Sequence, residues 1–142
     1  MPSNSVPRVF IVDDERVIAS SLAAILKRNG YAATFFTSPR EAVAAARSNA
    51  PDLLISDVVM RDYSGINLAI RMRVQYPKCK ILLFSGQAST QDLLQDARRQ
   101  GYNFQLLQKP VHPSAMLASI AALTAEGDVS SLIPVITDFE AS

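Results

Sequence analysis

The chain has 142 residues, a mass of 15.4 kDa, 14 basic and 13 acidic side chains, one histidine and one cysteine. This length fits one compact domain. The net charge of +1 argues against nucleic-acid binding by this chain alone, because such binding needs clustered lysines and arginines. Its apolar runs stay well short of the roughly 18 residues of a membrane span, and a single thiol cannot form an internal disulfide. We therefore expect a cytoplasmic protein with no membrane partner, as a monomer or weak dimer.

Short aliphatic or β-branched runs alternate along the chain with longer stretches of helical character. The predicted strands are Arg8 to Val12, Ala32 to Phe36, Asp52 to Ser56, Lys80 to Phe84 and Phe104 to Leu107. The predicted helices contain Val17 to Leu26, Ser38 to Ser48, Gly65 to Gln75, Thr90 to Gln100 and Pro113 to Ala125. Consecutive apolar positions in a strand indicate burial on both faces. This alternation predicts an α/β fold, with a doubly wound five-stranded parallel sheet and five helices.

The ends of the chain differ from this pattern. Residues 1–7 are polar, and we expect them to be a disordered lead-in. The repeating strands and helices occupy residues 8–125, which we expect to form the single domain. Residues 126–142 contain the apolar run Leu132 to Ile136, whose Pro134 argues against an internal strand. We interpret this segment as a C-terminal tail that folds back or meets a partner.

Charged and polar side chains come directly after four of the predicted strands. Asp13 and Asp14 follow the first strand, and Asp57 follows the third. Ser85 follows the fourth strand and Lys109 the fifth. In open parallel sheets ligands bind outside the carboxyl ends of the strands, which meet at one edge. We therefore expect three carboxylates, one hydroxyl and one amine to converge there.

Three clustered carboxylates predict a bound cation. Two unit charges about 4 Å apart interact by about 4 kcal/mol at an effective dielectric near 20, so Asp13, Asp14 and Asp57 repel one another strongly unless a cation lies among them. Oxygen ligands with no cysteine or histidine nearby favour Mg²⁺. A carboxylate beside Mg²⁺ and a lysine is a candidate nucleophile toward a phosphoryl group, and Asp57 is the best placed.

These motifs, taken together and in order, resemble the receiver domain of two-component response regulators, of the stand-alone, chemotaxis-regulator-like kind. The resemblance covers about residues 8–125. Met60 and Gly65, three and eight residues past Asp57, also match the family's loop after the phosphorylated aspartate. The other motifs that carry the resemblance are Asp13-Asp14, Asp57 after an apolar strand, Ser85-Gly86 and Lys109-Pro110.

The resemblance implies a flavodoxin-like receiver fold and a phosphoacceptor in a two-component or phosphorelay system, not an enzyme that turns over an external substrate. It implies that Asp57 accepts a phosphoryl group from a sensor histidine kinase or a histidine phosphotransfer protein, and that this switches binding to a downstream protein. With no output domain expected, such a chain acts through that partner. The implied site has Asp13, Asp14, Asp57 and the backbone carbonyl of Val59 as Mg²⁺ ligands, with Ser85 and Lys109 on the phosphoryl oxygens.

Two positions depart from the family pattern. Arg61 stands after Met60, where the family usually has a proline, so we expect a looser turn there. Leu106 stands three residues before Lys109, where receivers often place a Tyr or Phe that swings inward on activation. Phe104 or Tyr102 takes that place only if the strand register carries an extra residue.

Two alternative functions remain open from the sequence. A degenerate receiver that binds its partner constitutively is favoured by Leu106 and Arg61 and opposed by the intact acidic set. A Mg²⁺-dependent aspartyl phosphohydrolase would carry a second aspartate two residues past the nucleophile, where Val59 stands. Cys79 is expected to be an inert small side chain, although the flanking lysines would lower its pKa if it were exposed.

Overall fold

The computed structural model of the protein describes residues 6–61, 63–86, 90–109 and 112–124. Within them lies one five-stranded parallel sheet in the order β2-β1-β3-β4-β5. Its strands are β1 (Arg8–Val12), β2 (Ala32–Phe36), β3 (Leu53–Asp57), β4 (Lys80–Ser85) and β5 (Gln105–Gln108). The helices are α1 (Arg16–Arg28), α2 (Pro39–Ser48), α3 (Gly65–Gln75), α4 (Thr90–Arg99) and α5 (Pro113–Thr124). The predicted α/β fold, a doubly wound parallel sheet with five helices, is confirmed.

The strands near the predicted site extend further toward their carboxyl ends than the sequence indicated. β3 includes Asp57, and β4 includes Ser85. The hydrogen-bond ladder continues beyond them. The N–H of Val58 donates to the carbonyl oxygen of Phe84, and the N–H of Lys109 donates to the carbonyl oxygen of Ser85, both at 2.9 Å. These bonds hold the carboxyl edge of the sheet in one register.

The helices begin and end within a residue or two of the predicted positions, with one local difference. Ser38 occupies the N-cap position of α2, where serine often caps a helix, but its side chain makes no capping hydrogen bond. Pro39 at the start of the helix has no N–H, so the first turn contains one unpaired donor fewer. Ala125, the predicted last residue of the fifth helix, lies outside the described residues.

Alternate side chains of each strand enter two apolar cores, one on each face of the sheet. On β1, Phe10 and Val12 belong to the core under α2, α3 and α4, while Val9 and Ile11 belong to the core under α1 and α5. The residues of β3 are buried throughout. Burial on both faces explains why the central strands are apolar at consecutive positions.

Several predicted features lie outside the described residues. They are residues 1–5 of the lead-in, the whole 126–142 tail and, within the domain, Pro110 of the Lys109-Pro110 motif. Among the residues that are described, no helix is long and apolar enough to span a membrane.

Candidate functional site

Three carboxylates meet at the carboxyl edge of the sheet. Asp57 is the last residue of β3, and Asp13 and Asp14 directly follow β1, the neighbouring strand. One oxygen from each of these three side chains lies within 4.8 Å of the others. Parallel pairing brings this about, because Val12 at the end of β1 pairs with Ser56, next to Asp57. The structure therefore brings together the three acidic residues that the sequence proposed.

Lys109 lies between two of these carboxylates. Its Nζ is 3.2 Å from Oδ2 of Asp13 and 3.3 Å from Oδ2 of Asp57. The side chain of Lys109 is 24% exposed, whereas that of Asp13 is 1% exposed. A cation shared by two buried carboxylates offsets part of their mutual repulsion and of their desolvation cost.

Asp13 is held from several directions. Its Oδ1 accepts a hydrogen bond from the N–H of Glu15 at 2.9 Å, and its Oδ2 accepts one from Lys109. Its own N–H donates to the carbonyl oxygen of Phe36 on β2 at 3.1 Å. Asp13 is thus a fully buried, fixed part of the edge.

Asp14 is half-buried and has a different partner. The main-chain N–H of Arg61 donates to Oδ2 of Asp14 at 3.0 Å. The Nε atom of Arg61 lies 3.9 Å from the same oxygen, and the Arg61 side chain is 83% exposed. The sequence predicted a looser turn at Arg61 and missed this contact. Its only signal was the missing proline, since a non-proline residue supplies an N–H there.

The pKa values of Asp57 and Lys109 are both raised, and each group affects the other. Burial raises the pKa of Asp57 above its ordinary 3.8; the charge of Lys109 opposes this rise, and the charge of Asp13 adds to it. Burial lowers the pKa of Lys109, but the carboxylates of Asp57 and Asp13 outweigh this, so that its pKa lies above 10.5. Lys109 therefore stays a cation at neutral pH.

The start of α3 packs directly against Asp57. A Cβ atom at Gly65 would overlap the carbonyl oxygen of Asp57, and the N–H of Gly65 donates to the carbonyl oxygen of Val58 at 2.7 Å. The side chain of Ser64 caps the helix by accepting from the N–H groups of Ile66 and Asn67. Only glycine fits at position 65, because any side chain would overlap the main chain at the end of β3.

Val59 and Ser85, the two remaining predicted site residues, lie at the same edge. Val59 forms an antiparallel bridge with Ser64 across the β3–α3 loop. A backbone hydrogen bond from Val59 to the Asp57 carboxylate favours its ionised form. Ser85 is buried at the end of β4, the neighbour of β3, and pairs with Gln108 of β5.

The register of β5 places Leu106 three residues before Lys109, with no shift of the strand. Leu83 pairs with Leu106 and Ser85 with Gln108, with no extra residue between them. Leu106 is half-buried against the core under α2, α3 and α4. Phe104 lies before the strand, buried and stacked on Tyr102 with ring centroids 5.9 Å apart. The described part of β5 therefore gives neither aromatic residue the position of Leu106.

Cys79 lies just before β4, at the opposite edge of the sheet from this site. It is 2% exposed, and burial raises the pKa of its thiol to about 12 despite the nearby Arg73. The thiolate is the reactive form of cysteine. The prediction of an inert side chain therefore agrees with its burial, and the flanking lysines do not make it acidic.

Comparison with known proteins decides the family. The sequence matches the response regulator receiver domain over residues 9–121. The chain belongs to this family. Receiver domains are phosphoacceptors of two-component signalling, not conventional enzymes; they bind Mg²⁺ at an acidic pocket and interact with histidine kinases or phosphotransfer proteins.

Two similar proteins agree with this assignment. The probable transcriptional regulatory protein TcrX of Mycobacterium tuberculosis is 27% identical over 124 residues, which cover 87% of this chain and 52% of TcrX. The DNA-binding transcriptional regulator NtrC of Proteus hauseri is 31% identical over 112 residues, or 79% of this chain and 23% of NtrC. The chain thus spans about half or less of the length of these relatives.

Solved structures give the same result for the fold. The chemotaxis protein CheY4 of Vibrio cholerae superposes with a TM-score of 0.75 at 27% identity, covering 84% of this chain and 99% of CheY4. A CheY-like receiver domain protein from Methanospirillum hungatei gives a TM-score of 0.74 at 27% identity, covering 82% and 91% of the two chains. The predicted flavodoxin-like receiver fold is therefore confirmed.

Proposed function

We propose that Asp57 is the phosphoacceptor of this receiver domain. The observation that carries the proposal is the position of Asp57 at the end of β3, with its carboxylate 3.3 Å from the Lys109 amine and next to two further carboxylates. The side chain of Asp57 is 11% exposed, so part of it remains accessible to a phosphodonor. The proposed domain comprises residues 8–125.

Asp13, Asp14 and Asp57 are the proposed Mg²⁺ ligands, together with the backbone carbonyl of Val59. Their oxygens suit a hard cation, and the spacing within 4.8 Å lets one ion reach all three carboxylates. Mg²⁺ retains several waters in most protein sites, which fits a set with one half-buried member, Asp14. When bound, the ion would neutralise charge on the oxygens of the transferring phosphoryl group.

The proposed reaction is transfer from a phosphohistidine to Asp57. A carboxylate oxygen of Asp57 attacks phosphorus, an O–P bond forms, and the P–N bond to the donor imidazole breaks with its electron pair going to the nitrogen. The product is an acyl phosphate on Asp57 and a free donor histidine. The Lys109 ammonium pairs with the phosphoryl oxygens, and the Ser85 hydroxyl donates a hydrogen bond to one of them.

The proposed partners follow from this chemistry. A sensor histidine kinase or a histidine phosphotransfer protein supplies the phosphoryl group, and phosphorylation changes binding to a protein target. The receiver catalyses its own phosphorylation and dephosphorylation through Asp57 and Lys109. A free, buried Cys79 suits the reducing cytoplasm, where we place the protein.

Intact mass after incubation with acetyl phosphate and Mg²⁺ tests the proposal. We expect one added phosphoryl group on the wild type, dependent on Mg²⁺ and mapped to the peptide that contains Asp57. Asp57→Asn should take up none. Asp96→Asn is the matched control, because Asp96 is an exposed carboxylate on α4 that pairs with Arg99, and it should be labelled like the wild type.

Equal labelling of wild type and Asp57→Asn at the same peptide would contradict the assignment of Asp57. No labelling of the wild type, together with failure to bind beryllium fluoride, would favour the constitutive protein-interaction module. Leu106 in place of the usual aromatic residue makes that second outcome worth testing.

A further inference from the structure

Arg61 contacts the proposed metal site through its main chain. Its N–H donates to Oδ2 of Asp14 at 3.0 Å, across 47 positions of sequence. Proline, the residue that the family usually has here, lacks this donor. The bond therefore depends on this chain's departure from the family pattern, and it ties the β3–α3 loop to the segment after β1.

The side chain of Arg61 reaches the same oxygen. Its Nε lies 3.9 Å from Oδ2 of Asp14, at the long end for an ion pair, and the guanidinium group is largely in solvent. Such exposed pairs are weak and are screened by salt. The main-chain contact is shorter and, as a hydrogen bond to an ionised acceptor, is the stronger of the two.

The two contacts should act on a bound cation in opposite directions. A carboxylate has about four acceptor positions, so the N–H bond leaves Asp14 able to bind a metal while it fixes the carboxylate beside Asp13 and Asp57. Fixing a ligand in advance lowers the ordering cost of binding. The guanidinium group carries the same sign of charge as the ion, and it competes for the same carboxylate.

We propose that Arg61 is a positioning residue for the magnesium site: its N–H holds Asp14 in place for Mg²⁺, and its side-chain charge limits the affinity. This inference rests on the proposed function, in which Asp14 is a metal ligand. It makes one residue responsible for two opposing effects, which different substitutions separate.

Titration of the full chain with MgCl₂, followed by amide NMR shifts, measures the two effects without reference to phosphorylation. Arg61→Ala retains the N–H and removes the charge, so it should bind Mg²⁺ about two- to threefold more tightly at low ionic strength, with the difference lost at high salt. Arg61→Pro also removes the N–H, and it should bind about fivefold more weakly than Arg61→Ala. Arg28→Ala, which removes an exposed arginine from the last turn of α1, should bind like the wild type.

Amide hydrogen exchange gives a second measure that does not need the proline variant to fold. The amide of Arg61 should exchange about tenfold faster in Asp14→Ala than in the wild type, because its acceptor is gone.

Each result decides a specific point. If Arg61→Pro and Arg61→Ala bind Mg²⁺ equally, or if exchange at Arg61 does not change, the positioning role is overturned. If Arg61→Ala binds no more tightly than the wild type, the competition is overturned. If the wild type and Arg28→Ala bind no Mg²⁺ at all, the proposed function fails, and this inference fails with it.

Discussion

The edge of the sheet contains two contacts between acidic and basic residues that differ in almost every physical respect. Lys109 is three-quarters buried and shared by Asp13 and Asp57, at 3.2 and 3.3 Å. Arg61 is 83% exposed, and its side chain lies 3.9 Å from Asp14. The buried contact raises the pKa of Lys109 and limits the rise at Asp57. Salt easily screens the exposed ion pair between Arg61 and Asp14. The main-chain hydrogen bond from Arg61 to Asp14 is the stronger of the two contacts.

The difference shows how the proposed metal site combines a fixed part with an adjustable part. Buried charges must keep their partners, because an unpaired buried charge costs several kcal/mol. Exposed charges keep their hydration and lose little when a partner leaves. We therefore expect the Lys109 contact to contribute to the stability of the fold, and the Arg61 side chain to be replaceable with little effect on it.

The largest expected effect comes from displacing Asp57, on which the buried contact depends. Gly65→Ala places a Cβ atom on the carbonyl oxygen of Asp57, so the start of α3 or the end of β3 must move. We expect a loss of about 3 kcal/mol or more in the free energy of unfolding. Urea unfolding measures it. Gly86→Ala is the control, because a Cβ there would lie an ordinary 3.7 Å from the Cβ of Lys109, and a comparable loss in that variant would contradict the packing argument.

Lys109→Ala tests the buried contact directly. It leaves Asp13 and Asp57 without their shared cation, and we expect a loss of about 2 kcal/mol at pH 7, reduced from the fully buried case because Lys109 is partly exposed. Since the pKa of Lys109 is raised on folding, its contribution is complete below 10.5 and declines as the pH rises through the folded pKa. Urea unfolding at pH 7 and above pH 10.5 measures this, and Mg²⁺ should restore more stability to the variant than to the wild type.

Asp57→Asn should increase the free energy of unfolding, whereas Lys109→Ala should decrease it. Neutralising a buried carboxylate removes a desolvation penalty of about 1 kcal/mol, so the variant should be more stable than the wild type at pH 7. Because the pKa of Asp57 is raised on folding, this advantage is absent below about pH 3.8 and grows until the pH passes the folded pKa. Thermal unfolding across this range measures it, and equal stability at every pH would show that burial does not penalise this carboxylate.

The smallest effect on stability belongs to the exposed contact. Arg61→Ala should change the free energy of unfolding by less than about 0.5 kcal/mol, and added salt should remove the difference. Urea unfolding of Arg61→Ala and of Lys109→Ala, each at low and high ionic strength, measures what the two contacts contribute to stability. A loss in Arg61→Ala as large as that in Lys109→Ala would break the distinction between the two contacts.

The sequence predicted the fixed part of the site better than the adjustable part. Apolar strands followed by Asp13, Asp57 and Lys109 were sufficient, because parallel strands must bring their carboxyl ends to one edge. The partner of Asp14 was not predicted, because a main-chain N–H has no residue type to reveal it. The contact depends on the path of the β3–α3 loop, where the missing proline at Arg61 was only a permissive signal.

The same distinction applies to the fold. The order of strands and helices followed from hydrophobic patterning, whereas β3 and β4 ended one residue later than predicted because ladder hydrogen bonds continue past the apolar run. At Ser38 the residue type favours a side-chain cap, which the structure does not form. Patterning reports which residues must be buried, and it reports less about local hydrogen bonds that have several solutions.

The buried thiol at the opposite edge makes site-specific chemistry on this protein simple. The chain has one cysteine, which is 2% exposed and has a pKa raised to about 12. A cysteine introduced at an exposed position such as Val74 would react with maleimide dyes far faster than Cys79. A fluorescent reporter of the proposed phosphorylation can therefore be attached to an otherwise native chain, with the core left intact.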